Sequence, residues 1–172
     1  GLLGPAATGS VRDDWATGVG GAGLVASRSS RRKKLLVPDL MGPDRRSVLK
    51  VDTGPAGITV EAVNHYETTG LMDMKDLKEK ADGETAMVYI ENPSYLGFAE
   101  ENAAAIGEVA HDNKALFVVG VDPTSLGILK APGEYDAEVV VGEGQPLGNN
   151  MVSGGPPPGV MEWQADNKLI PP

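Results

Sequence analysis

The chain has 172 residues, no cysteine and a formal net charge of −9, which suits one domain with a proper hydrophobic core. The absence of thiols excludes a disulfide framework, a thiolate metal site and a cysteine nucleophile, and the acid excess argues against nucleic acid as the main partner. No apolar run approaches the roughly 20 residues that span a bilayer, and no segment reads as a signal peptide, so the expectation is a cytoplasmic protein with no membrane partner.

In chain order, residues 1–12 show no clear period and are expected to be irregular. Asp13-Asp14-Trp15-Ala16-Thr17 reads as a helix start, with an acid near the positive end of the helix dipole. That helix should run to about Ser27 despite interior glycines at 18, 20, 21 and 23, each costing about 0.5–1 kcal/mol relative to Ala, so it persists only if packed. Lys34–Val37 reads as a short strand, Pro43–Lys50 as a helix with proline in its first turn, and Ile58–Val63 as a strand. Asp73–Lys80 reads as a capped amphipathic helix. Then come a strand over Ala86–Ile90, a helix over Ala99–His111, and strands over Ala115–Val119 and Ala137–Val141. Strands separated by single helices imply βαβ units. The predicted fold is therefore α/β, a mostly parallel sheet with flanking helices. Residues 13–160 form its core and 161–172 an irregular C-terminal tail. No internal repeat is visible.

Three features invite a functional reading and fail on their surroundings. Gly18-Val19-Gly20-Gly21-Ala22-Gly23 is a formal G-x-G-x-x-G with Asp39 at the spacing of a dinucleotide fingerprint. The fingerprint needs a strand directly before its first glycine, and residues 8–17 do not read as one. The basic run Arg28, Arg31, Arg32, Lys33 and Lys34 belongs to a cationic first third: residues 1–50 carry nine Lys/Arg against four Asp/Glu. It reads as a solvated helix-to-strand turn. His65 and His111 are the only histidines, far apart and without metal-ligand spacing, and both read as surface residues with no metal site.

The strand ends carry the candidate chemistry, because ligands in open α/β sheets sit beyond the carboxyl ends of the strands. Asp122 follows the predicted strand at 115–119, and the Gly142–Gly159 loop follows the strand at 137–141. Both should face one crevice. Asp122 could equally begin an Asx-turn, capping the amides of Thr124 or Ser125. The loop could cradle an anion, but Pro156-Pro157-Pro158 offers it no amides. Asn92, before Pro93, is expected in turn geometry with its side chain turned toward the same crevice.

Several of these segments resemble subunit 1 of the two-subunit glycine decarboxylase, the P-protein of the glycine cleavage system. They are Asp14-Trp15-Ala16-Thr17, the run from Arg31 to Pro38, Pro43-Asp44-Arg45-Arg46, Glu91-Asn92-Pro93-Ser94-Tyr95-Leu96-Gly97, Asp122-Pro123-Thr124-Ser125-Leu126-Gly127, Pro132-Gly133-Glu134-Tyr135, the run from Val141 to Gly148 and Gly154-Gly155-Pro156. The resemblance covers about Asp13 to Val160, with none seen before or after. It implies the large domain of a fold-type-I pyridoxal-phosphate enzyme. In cofactor-bearing relatives an aspartate at the position of Asp122 pairs with the pyridinium nitrogen, and a lysine at the position of Gln145 forms the Schiff base. An amide cannot form an imine, and the nearest lysines, Lys130 and Lys168, lie outside the motif. The implied role is a partner with no catalytic residues and no covalently held cofactor, with Asp122, Ser125, Asn92 and Gln145 as pocket residues. Pyridoxal phosphate would belong to subunit 2 of a heterotetramer, with glycine as substrate and the lipoylated H-protein as acceptor. The rival expectation is a non-catalytic fragment or remodelled domain, inactive alone.

Overall fold

A computed structural model describes residues 7–12, 14–148 and 158–164. Seven strands form one sheet: β1 (Ala7–Arg12), β2 (Lys34–Pro38), β3 (Thr59–Val63), β4 (Thr85–Glu91), β5 (Leu116–Val121), β6 (Val139–Glu143) and β7 (Gly159–Gln164). Their order is β1-β7-β6-β5-β4-β2-β3. Strand β7 runs antiparallel to both neighbours, and every other pairing is parallel. The expected mostly parallel sheet is present, and its central strands β4 and β5 are buried along their whole length, as continuous apolar runs require.

Four helices cover the sheet: α1 (Trp15–Ser30), α2 (Pro43–Thr53), α3 (Met74–Lys80) and α4 (Ala103–Asp112). Two apolar layers result. Val19, Ala22 and Ala26 of α1 and Leu49 of α2 pack with Leu35, Met87, Tyr89 and Val139 on one face. Leu77 of α3 and Ile106 and Ala110 of α4 pack with Leu36, Val88, Ile90 and Phe117 on the other. At about 25 cal/mol per Å² of apolar surface, these layers supply most of the driving force.

Two expectations at the ends are corrected. Residues 7–12 and 159–164 are not irregular: they form β1 and β7, paired from Ala7 with Gln164 to Arg12 with Gly159. Each is a six-residue segment whose hydrogen-bonding partner lies about 150 positions away in the other, so neither announces itself locally. The core therefore extends beyond both ends of the 13–160 span. A third correction concerns the glycine motif. Strand β1 does precede α1, but Gly18, Gly20 and Gly23 lie inside the helix, which starts at Trp15, and not in the turn that would hold a phosphate. Their purpose is close packing. A Cβ on Gly20 would lie 2.3 Å from Asp52 Oδ2, and one on Gly23 would lie 2.7 Å from Leu35 Cδ1. Helix α4 also starts later than expected, at Ala103, because the preceding residues are held in a loop by the buried side chains of Asn92 and Glu100.

Arg28 and Arg31 are exposed, as a solvated turn requires, while the rest of the basic run bonds to the fold. Arg32 donates to the carbonyls of Thr85, Asn113 and Lys114 at 3.0, 2.6 and 3.2 Å. Lys33 donates to the Ala56 carbonyl at 2.9 Å, and Lys34 pairs with Asp82 at 2.6 Å. Among the described residues, no helix is long and apolar enough to cross a membrane.

The substitution Gly23→Ala tests the packing account. Helix propensity alone favours alanine by about 1 kcal/mol. Pushing a methyl against the fully buried Leu35 should outweigh that and destabilise the protein by about 1–3 kcal/mol in chemical denaturation.

Candidate functional site

The topology marks one place on the sheet. Strands β2 and β4 are neighbours, yet the helix that follows β2 packs on one face while α3 and α4 pack on the other. The connections diverge there and leave a crevice at the carboxyl ends, the usual seat of ligands in open α/β sheets. Pro38, Glu91 and the first turn of α2 surround it.

On the α1 face of this crevice a buried polar chain crosses three elements. The indole Nε1 of Trp15, the first residue of α1, donates to the Tyr89 hydroxyl at 3.0 Å. That hydroxyl donates to Glu91 Oε1 at 3.3 Å. Arg45 of α2 reaches the same oxygen at 3.1 Å, with its guanidinium carbon 3.8 Å from the centre of the Trp15 ring, a cation–π distance. The Glu91 side chain is only 2% exposed, and its second oxygen, Oε2, has no hydrogen-bond partner. Burial pushes the Glu91 carboxyl above its usual range, and the Arg45 cation opposes that push. Burial, reinforced by the Glu91 charge, holds the Tyr89 phenol well above its ordinary value. Beneath the ring lies Gly120 of β5. A Cβ there would stand 2.3 Å from the Tyr89 hydroxyl and 2.7 Å from Trp15 Nε1, so any side chain at 120 would collide with both rings.

The opposite face holds different groups. Asp39 and His65, at the ends of β2 and β3, pair at 2.7 Å through Nδ1. Asp39 therefore serves this contact with His65 and not a ribose. They border a cavity of about 30 Å³ with Val63, Met72, Ile90 and Phe98, room for about one water molecule. Glu100, also buried, accepts from the amides of Met72 and Asn102 at 2.9 and 3.0 Å. His111 is not a free surface residue, since its Nε2 lies 2.8 Å from Glu138 Oε1. Among the described residues, no cluster of three or more metal-ligating side chains exists.

The four residues singled out from the sequence divide between the two faces. Asp122 accepts from the amide and hydroxyl of Thr124 at 2.9 and 2.7 Å, the Asx-turn alternative, and so starts a 3-10 turn over Pro123–Gly127. Ser125 Oγ donates to the Asp122 carbonyl at 2.6 Å. Gln145 opens a second 3-10 turn, Gln145–Leu147, which packs against the first. Its amide lies 3.4 Å from Glu143 Oε1. These three therefore share a corner, as expected. Asn92 does not join them. It follows Ile90 in the strand alternation and faces α4, where its Oδ1 accepts from the Glu100 amide at 3.2 Å and its side chain bonds the Tyr135 hydroxyl. Burial pushes the Tyr135 phenol up to about 12. Asn92 and Tyr135 border a groove of about 420 Å³ between α4 and residues 129–136. Residues 149–157 of the glycine- and proline-rich loop, with Pro156 and Pro157, fall outside the described residues.

Comparison with known proteins bears on the whole chain. The family model described as glycine cleavage system P-protein matches residues 4–170. The chain belongs to that family. The match extends past both ends of the segment that the motifs alone marked, and it takes in β1 and β7. Two similar relatives are each named probable glycine dehydrogenase (decarboxylating) subunit 1. One, from Thermococcus onnurineus, is 46% identical over 98% of this chain and 37% of its own length. The other, from Staphylothermus marinus, is 44% identical over 91% of this chain and 34% of its own length. The chain thus spans about a third of the curated relatives it matches. A crystal structure of glycine decarboxylase (P-protein) of the glycine cleavage system, in inhibitor-bound form, superposes with a TM-score of 0.78 at 34% identity, covering 87% of this chain and 33% of that one. A sphingosine-1-phosphate lyase from Burkholderia pseudomallei shares the fold alone, with a TM-score of 0.74 at 15% identity over 95% of this chain and 39% of that one.

Residues missed in the sequence are those of the buried chain. Glu91 and Trp15 lay inside quoted motifs, but only the fold brings residues 15, 45, 89 and 91 together. Their electrostatics give a pH test. A carboxyl whose folded pKa is raised contributes stability that is present below its unfolded pKa of about 4.3 and is lost as pH rises through the folded value. Glu91→Gln removes that loss. The Tm of the variant minus that of the parent protein should therefore rise between about pH 4 and pH 7, measured by thermal melts across that range.

Proposed function

We propose that this P-protein family member acts as the subunit of a glycine decarboxylase that does not itself carry the cofactor. The observation behind this reading is the residue at 145. Pyridoxal phosphate supplies an electron sink when bound through a lysine imine, and the carboxamide of Gln145 forms no imine. The surroundings agree with it. Asp122 already holds Thr124. Lys130 is exposed and borders the α4 groove, and Lys168 lies outside the described residues. These residues do not fit a covalently held pyridoxal phosphate. The cofactor belongs, in this reading, to subunit 2, and the complex decarboxylates glycine and passes the aminomethyl group to the lipoyl arm of the H-protein.

In that assembly, a heterotetramer of two copies of each subunit in the cytoplasm, this chain shapes one wall of the shared active site. The loops beyond β4, β5 and β6 support a role in assembly. They expose Tyr95 (53%), Leu96 (61%), Ile128 (93%) and Leu147 (65%) beyond the carboxyl ends of these strands. Monomeric surfaces seldom leave such a row uncovered. The same row favours a chain that is inactive alone.

Mixing the chain with a cofactor-bearing subunit 2 tests the proposal. Co-elution in size-exclusion chromatography should accompany exchange of labelled CO₂ into glycine above the rate of subunit 2 alone. Separate elution with no gain in exchange overturns it.

A further inference from the structure

We propose that Trp15, Arg45, Tyr89 and Glu91 are a plug. They fill, from within the chain, the α1 side of the crevice at the carboxyl end of β4, and the indole of Trp15 occupies a site that takes a flat aromatic ligand once that ring is removed. This goes beyond the subunit assignment. It rests on that reading only in assigning the crevice no bound cofactor, and its test uses the chain alone.

Four observations converge. The plug residues come from the starts of two helices and the end of a strand, the places where open α/β folds present ligand-binding groups. Trp15 is 9% exposed, Tyr89 is fully buried and Glu91 is 3% exposed, so the crevice floor is protein and not solvent. Gly120 leaves a bare patch of β5 backbone against which both rings rest, since a Cβ there would come within 2.3 Å of the Tyr89 hydroxyl. Elsewhere such a bare backbone patch admits a ligand to close range. Finally, the N-terminus of α1, the natural seat for an anion, is already satisfied. Asp14 accepts from the Thr17 amide at 2.7 Å, and Thr17 Oγ1 accepts from the Asp14 amide at 3.2 Å. A phosphate would have to displace a carboxylate that is part of the chain.

Removing the ring leaves a void with a ring-shaped wall on one side (Tyr89), a cation above (Arg45) and bare backbone below (Gly120). Engineered apolar cavities bind aromatic guests; this one, bordered by Arg45, Tyr89 and Glu91, adds polar contacts that select among them. The Arg45 guanidinium favours a π face, and the Tyr89 hydroxyl can accept from a ring N–H. Indole meets all three conditions.

The experiment is thermal unfolding of Trp15→Ala and of the parent protein with indole in titrated excess. The variant should melt several degrees below the parent. Indole should return a few degrees of that loss in a saturable manner and leave the parent unmoved. A folded variant whose Tm ignores indole overturns the plug, as does a parent protein that gains equally. Should Trp15→Ala not fold, the decision passes to Trp163→Phe, in which Trp15 is the only tryptophan. Its emission must resist acrylamide several-fold better than in the urea-unfolded chain. Equal quenching in the two states overturns the proposal. None of these readouts depends on subunit 2, so a failed assembly experiment and a failed plug are distinguishable.

Discussion

A carboxylate taken out of water must be matched from inside the protein, and much of this molecule's geometry follows from how Glu91 is matched. One cation, Arg45, reaches one of its oxygens, and one phenol reaches the same oxygen. Burying a charge costs several kcal/mol even after relaxation, and losing one partner of such a pair is costlier than replacing both. Three positions are thereby tied together. Arg45 fixes the first turn of α2 over the end of β4. Tyr89 must keep its rotamer to reach both Glu91 and the Trp15 indole. Trp15 in turn pins the first turn of α1 above Gly120. Because α1 and α2 also pack side by side on the same face of the sheet, a shift in any one member would strain the others.

The small residues of α1 serve the same end. A helix with four glycines among its first nine residues is poor on propensity, and it exists because tertiary contacts select it. Its backbone lies against Leu35 and Asp52 at distances no side chain would allow. The approach brings the start of α1 low over the sheet, low enough for Trp15 to touch the β5 backbone. The glycines that imitate a nucleotide fingerprint are thus the means by which the crevice is closed.

The fold was largely legible because its central strands are buried on both faces. Runs such as Ala86–Ile90 and Ala115–Val119 have no polar alternative, and the structure moves their bounds by only a few residues. Strands β1 and β7 were not legible because ATGSVR and GVMEWQ are stable only against each other and β6, pairings that local periodicity does not encode. The Asx-turn at Asp122 was legible as one of two alternatives, since Asp-Pro-Thr-Ser is a strong Asx-turn sequence, whereas Gln145 was marked only by the resemblance. Asn92 was expected to face the crevice of Asp122, but alternation from Ile90 places it with α4 instead. The buried chain was the least legible of all: its members lie at 15, 45, 89 and 91, and only the strand order brings them together.

Strand alternation also divides the chemistry more deeply than a single crevice suggests. Residues 89 and 91 project toward α1, and residues 90 and 92 toward α4, so one strand end serves two separate environments. On the α1 side the polar groups bond to one another across α1, α2 and β4 and leave no room. On the α4 side Asn92, Tyr135 and Glu100 surround open space, and their bonds run mainly to loop amides. A packed, internally bonded face and an open, loop-lined one suit the subunit role proposed above. The first holds the sheet and helices in fixed register, and the second, with the apolar rim beyond β4 to β6, leaves surface on which another chain can act.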